Sequence, residues 1–157
     1  MSVVLNEVRA VQIPLHSGQL LLPNTSVAEV AGYREPRQLP DSPDWLLGMV
    51  DWRQQELPLV CFDGLLGMPL KKMGVRARLA ICNTLGENSL FPHIAVLAQS
   101  IPRLVRVSEE MVEVDPEPLE LSEPVLQQVL INGEKAWIPD LDVLESLVEE
   151  AVLQVET

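Results

Sequence analysis

The residues able to do chemistry are few and badly placed for it. His16 falls in a turn and His93 at the start of a strand, neither with a second His or Cys at ligand spacing, so the pattern predicts no metal site and no cofactor. Ser17 and Ser100 lack the strand–turn–helix setting of an activated serine, and no glycine-rich phosphate loop occurs. The acid pairs Glu109-Glu110 and Glu149-Glu150 are adjacent in sequence, which suits solvated faces better than catalytic dyads. Cys61 and Cys82 sit in apolar, strand-like stretches and are expected as reduced core thiols of a cytoplasmic protein; spacing alone leaves a disulfide open. What remains is recognition chemistry. In Gly48-Met49-Val50-Asp51-Trp52-Arg53-Gln54-Gln55-Glu56-Leu57-Pro58-Leu59-Val60, a tryptophan and an arginine meet where a strand leaves the core. Those two residue types are enriched at the energetic centres of protein interfaces.

Charge narrows the partners. Of 157 residues, 23 are acidic and 11 basic, for a net charge of −12. Residues 1–106 hold ten of the eleven cations, whereas residues 107–157 hold Lys135 alone against fourteen acids. Such a surface repels phosphate backbones and anionic lipid, so neither nucleic-acid binding nor membrane-surface binding is expected. Residues 1–7 carry no secretory pattern and no run is long enough to span a bilayer. The chain is 47% hydrophobic but 4% aromatic, so aliphatic side chains must fill the core.

Thirteen prolines against eight glycines suit many short elements. Strands are expected over residues 8–15, 19–22, 79–83, 94–98 and 101–107. Ser26 and Glu29 have capping-box spacing, predicting a short helix that Gly32 and Pro36 close. The turn at residues 53–56 has no glycine, so a longer loop around a type I turn is expected there in place of a two-residue type I′ hairpin. Residues 63–67 suit a turn or a single helical turn, residues 84–89 a hairpin loop and residues 113–124 an acidic loop. Asn132-Gly133 is the strongest hairpin signal, between strands at residues 125–131 and 136–138. Asp140 is placed to cap a terminal helix, apolar through Leu141, Leu144, Leu147, Val148, Ala151 and Val155, with Asp142, Glu145 and Glu149 opposite.

In order, Val27-Ala28-Glu29-Val30-Ala31-Gly32-Tyr33, Leu39-Pro40-Asp41-Ser42-Pro43, the residues Gly48, Val50, Arg53, Pro58, Leu59 and Val60, then Leu66-Gly67, resemble the CheW family of chemosensory coupling proteins. The closing Trp137-Ile138-Pro139-Asp140-Leu141 resembles its last strand and helix. Asp51-Trp52 stands in place of the family's usual Asn-Leu, Gln54 in place of the hallmark glycine and Cys61 in place of an aspartate. Among divergent members the chain looks most like the ChpC-type proteins of pilus-linked systems.

The resemblance implies a mainly β fold: one CheW-like domain over residues 1–157, made of two intertwined SH3-like five-stranded barrels with a short early helix and a C-terminal helix. It implies a non-enzymatic scaffold joining the regulatory domain of a CheA-type histidine kinase to the cytoplasmic tip of a methyl-accepting chemoreceptor. Val27 and Glu29 match positions implicated in those contacts, and Gly48 and Arg53 match hallmark coupling positions; Trp52 joins them through its neighbour Arg53. The competing reading makes Val27 a buried helix residue and Arg53 a cation pinning the hairpin to a nearby carboxylate. Two further functions stay open at this point. One is an accessory adaptor that binds a single partner, and the other is a small all-β enzyme or ligand-binding protein using Cys61, Cys82 or His93.

Overall fold

The computed structural model describes residues 7–84, 90–115 and 123–156. In chain order the strands are β1 (Val8–Pro14), β2 (Gln19–Pro23), β3 (Val27–Gly32), β4 (Leu46–Trp52), β5 (Gln55–Val60), β6 (Arg78–Asn83), β7 (His93–Ala98), β8 (Arg103–Val107), β9 (Val112–Val114), β10 (Val125–Ile131) and β11 (Glu134–Pro139). One helical turn, α1 (Phe62–Leu65), follows β5, and α2 (Leu141–Glu156) ends the chain.

The strands form a six-stranded sheet, β8-β1-β2-β11-β10-β9, and a five-stranded sheet, β3-β6-β7-β5-β4. The chain starts in the first sheet, builds the whole of the second, and returns to finish the first. Both sheets have their edge strands close together along the chain. A 3-10 turn, Glu109–Met111, is the bend between β8 and β9. In the second sheet, Arg37 makes an isolated antiparallel bridge to Met49 of β4, with N···O distances of 2.7 and 2.9 Å. The segment leaving β3 therefore closes over the outer edge of β4.

Alternation explains the near-continuous apolar runs. In β7, Ile94, Val96 and Ala98 face a core shared by both sheets, while Ala95 and Leu97 fill the interior of the second sheet. Strand β6 does the same with Ala80 and Cys82 against Leu79 and Ile81. Strands buried on both faces read as unbroken hydrophobic stretches. The shared core is completed by Ile13, Leu20, Leu22 and Trp137 and by Leu144, Val148, Ala151 and Val152 of α2. A third, smaller cluster around Val107, Val129 and Ile131 fills the first sheet.

Three expectations are corrected. The helix predicted from Ser26 and Glu29 is strand β3; a 3-10 turn at Asn24–Ser26 is all the helix that forms. Six residues ending in glycine are too few to nucleate a helix, whereas β6 supplies a ladder from Val27↔Cys82 to Gly32↔Arg78. The hairpin at residues 53–56 is a two-residue turn after all, since Trp52 pairs with Gln55 and both Arg53 (φ 48°) and Gln54 (φ 65°) are left-handed. Within the predicted acidic loop, Val112–Val114 pairs with β10 as strand β9. Residues 85–89 and 116–122 of the two predicted loops lie outside the described residues.

The other elements follow the sequence. Asn132 (φ 50°) and Gly133 (φ 84°) form the expected turn between β10 and β11. Asp140 caps α2, its Oδ1 accepting from the Val143 N–H at 3.2 Å. On α2, however, Glu145 is buried and does not share the solvated face of Asp142.

Candidate functional site

Three of the five singled-out residues converge where the edges of the second sheet meet. Glu29 on β3 accepts the Trp52 indole N–H at 2.9 Å through Oε2 and the Arg53 guanidinium at 2.7 Å through Oε1. The Arg53 guanidinium also lies over the Trp52 ring, 4.8 Å from its centroid. His93, at the start of β7, meets the same indole edge-on at 4.7 Å. Since β3 and β4 are opposite edges of one sheet, these side chains fasten the barrel where the ladder stops. Arg34 adds a bond to the Asp51 carbonyl at 2.6 Å, and Arg37 pairs with Glu56 through two bonds at 3.0 and 3.1 Å. Trp52 is 6% exposed, whereas the Arg53 side chain is 67% exposed. The pinned-cation reading of Arg53 describes its contact, and its exposure leaves the guanidinium's outer side open to a partner.

Gly48 and Val27 stand apart from that group. Val27 is half-buried against the core shared by the two sheets. Gly48 lies under the Arg37 bridge, with φ of 141°, where a Cβ would sit 2.4 Å from the Arg37 carbonyl oxygen. Its absent side chain is what lets the closing segment approach β4.

The turn itself is strained. A non-glycine residue in the left-handed region costs roughly 1–2 kcal/mol, and here two stand in succession. Arg53 is held there by Glu29 and Trp52, whereas the Gln54 side chain makes no hydrogen bond among the described residues. Gln54→Gly is therefore expected to raise stability by about 1 kcal/mol. For a domain of this size that is a melting-temperature rise of about 2–4 °C; a fall would show that Gln54 is held by a contact of its own.

The cluster is acid-labile. Hydrogen bonds from Trp52 and then Arg53 hold the Glu29 carboxyl below its ordinary value. Burial, and then the charge of Arg53, push the His93 imidazole below its own. Its Nδ1 is buried and has no hydrogen-bond partner among the described residues. Both folded values lie below the unfolded ones, so both contributions are complete above the unfolded values and are lost as pH falls through the folded ones. As pH falls, the Trp52 indole N–H resonance is expected to move in two steps, one below the ordinary imidazole range and one below the ordinary carboxylate range. A single step at the ordinary glutamate value would contradict the pairing.

The remaining chemistry is buried. Cys61 and Cys82 are free thiols in different cores. Burial raises the Cys61 thiol and pushes Cys82 up to about 12, so neither supplies a thiolate at neutral pH. No group of three His, Cys, Asp or Glu residues able to hold a metal occurs among the described residues. Glu149 accepts the Leu90 N–H at 2.6 Å, a structural contact that its expected solvated face does not include.

Sequence reasoning passed over Asp63. Its side chain is 1% exposed and accepts the His16 and Ser17 backbone N–H groups, each at 3.1 Å, together with the Ser17 hydroxyl. It ties the β1–β2 turn of one sheet to α1 beside the other. A lone acid directly after the apolar run ending in Cys61-Phe62 was the available signal, because a carboxylate there is buried only if it is hydrogen-bonded. Arg34 and Arg37 gave no such signal, since the loop carrying them crosses β4 only in three dimensions.

Two interlocked β-sheets sharing one core, with a polar cluster fastening an open seam, define a double-barrel β domain that presents surfaces. The chain belongs to the CheW-like domain family, whose pattern matches residues 9–149. In fold it is similar to the scaffolding protein TtCheW from Thermoanaerobacter tengcongensis, with a TM-score of 0.70 at 16% identity over 87% of this chain and 91% of that one. No curated protein matches the sequence. No helix among the described residues is long and apolar enough to cross a membrane.

Proposed function

We propose that this chain is a non-enzymatic adaptor of bacterial chemosensory signalling, joining the regulatory domain of a CheA-type histidine kinase to the cytoplasmic tip of a chemoreceptor. The observation that carries the reading is the Glu29–Trp52–Arg53 cluster, a fixed indole and carboxylate presenting an exposed guanidinium. Arg53 and Trp52 are the anchor types of interface centres. Val27 and Val30 on the same strand offer aliphatic contact to a helical hairpin, and Val30 is exposed. Gly48 contributes by setting the path of β4 beneath the cluster. An adaptor of this kind needs no chemistry of its own, only contacts that differ between the kinase-on and kinase-off arrangements of its partners. The departures at Trp52, Gln54 and Cys61 support a place among divergent members, beside the ChpC-type proteins of pilus-linked systems.

The test is co-purification of the full chain with the regulatory domain of a chemosensory kinase and a receptor-tip fragment from the same genome. Retention of both in one complex is the expected result. Retention of one alone would replace the coupling role with that of an accessory adaptor, and retention of neither would overturn the proposal.

A further inference from the structure

Cations gather where β8 and β11 of the first sheet adjoin the start of β6 in the second, away from the Glu29–Arg53 cluster. One pocket of about 470 Å³ is lined by Arg103 and Lys135, together with His16, Ser17, Ser100 and the carboxylate of Glu134. A second, of about 540 Å³, is lined by Arg76, Arg78, Ser100, Ile101 and Arg103. Ser100 and Arg103 line both, so the two pockets adjoin. Four of the eleven cations of a chain with net charge −12 thus border one groove. The ion pairs among the described residues are Arg37–Glu56 and Arg53–Glu29, and neither involves a groove residue.

The groove begins where β8 begins. This strand is the edge of its sheet and pairs with β1 alone. Its outer backbone groups therefore have no strand partner among the described residues. Leu104 is 67% exposed and Ile101, just before the strand, is 58% exposed. In the β1–β8 ladder Arg9 stands opposite Arg106, on the face of the sheet away from Arg103, and neither lines either pocket. Charged residues on an edge strand deter unwanted pairing, which accounts for Arg103 and Arg106. It does not account for Arg76, Arg78 and Lys135, which reach the same groove from other elements.

We propose that the free edge of β8 and its two adjoining pockets dock an extended acidic peptide segment of a partner protein. The peptide backbone pairs with β8; its carboxylates reach Arg76, Arg78, Arg103 and Lys135 on one face of the sheet, and its alternate aliphatic side chains cover Leu104 on the other. A nucleic acid is the poorer occupant, because its longer phosphate run meets Glu134 in the groove and the repulsion of a chain of net charge −12. The inference is independent of the adaptor reading and of the Glu29–Arg53 cluster.

The test uses the full chain at low salt with an end-blocked, fluorescein-labelled peptide of about eight alternating glutamates and valines, long enough to span β8. Fluorescence anisotropy is expected to show binding at least about tenfold tighter than for the glutamine–valine peptide. Arg76→Glu/Arg103→Glu should weaken it by a further factor of about ten or more, with Arg76→Gln/Arg103→Gln as the variant if charge reversal disturbs folding. Amide exchange should slow along residues 103–107 when the glutamate peptide is bound. No binding at millimolar peptide, equal affinity for the glutamine peptide, or indifference to these substitutions would overturn the proposal. Tighter binding of a labelled oligothymidine of equal length would overturn it in favour of nucleic acid.

Discussion

Asp63→Ala is expected to lower stability by about 3–5 kcal/mol, because each hydrogen bond to a buried charged acceptor is worth about 1.5–3 kcal/mol. The side chain is 1% exposed and accepts from two backbone N–H groups and one hydroxyl. Alanine would leave the His16 and Ser17 N–H groups without their acceptor at a turn where no strand supplies another. At about 2–4 °C per kcal/mol, the melting temperature should fall by about 6–20 °C. Asp63→Asn keeps the volume and one acceptor oxygen, so about half the loss is expected. Thermal unfolding of the two variants checks this. A loss under about 1 kcal/mol for alanine would mean that water replaces the carboxylate and that the inter-sheet tie is dispensable.

Gly48→Ala should rival it by a different route. The added Cβ would meet the Arg37 carbonyl oxygen at 2.4 Å, the Arg37 carbonyl carbon at 2.9 Å and the Pro36 Cβ at 3.0 Å, at a φ of 141°. The nearest two atoms are backbone, so no side-chain rotation relieves the clash. Relief requires the two Arg37–Met49 hydrogen bonds to lengthen or break. Overpacking and the lost bridge together are expected to cost about 3 kcal/mol or more. Partner binding should fall with stability, because β4 carries Trp52 and leads into Arg53. Denaturant unfolding beside a binding assay checks both; a variant that melts normally would show that the closing segment is not held against β4.

The architecture was legible because β strands buried on both faces leave long apolar runs, as in residues 79–83 and 94–98, and because Asn132-Gly133 has one favoured turn. The CheW-like order of motifs then supplied the double-barrel arrangement that periodicity alone could not. Strand β3 was misread because Ser26 and Glu29 satisfy a local capping rule. Its pairing partner β6 lies some fifty residues away, as Val27↔Cys82 shows, and local spacing cannot register it. The Arg53–Gln54 turn was misread for a related reason. Its left-handed residues are tolerated because Glu29 on β3 holds Arg53 from outside the hairpin, a partner that the turn's own composition does not reveal. Glu29 and the neighbours Trp52 and Arg53 were singled out from different stretches of the sequence, but His93 joined them only once β7 lay within reach of the indole. Asp63 and Gly48 act through contacts across the chain, with His16, Ser17 and Arg37, that no sequence window contains.

Arg53→Ala puts the coupling reading to its most direct test, measured as affinity for the kinase regulatory domain and the receptor tip beside the melting temperature of the same samples. The Arg53–Glu29 pair is exposed and screened by solvent, so it adds little to stability. Trp52 keeps its own bond to Glu29 in the variant. The expected result is a melting temperature within about 4 °C of the parent and an affinity for at least one partner weakened about tenfold or more. Unchanged affinity for both partners, together with a large loss of stability, would contradict the account and leave Arg53 as a fastening of the barrel alone.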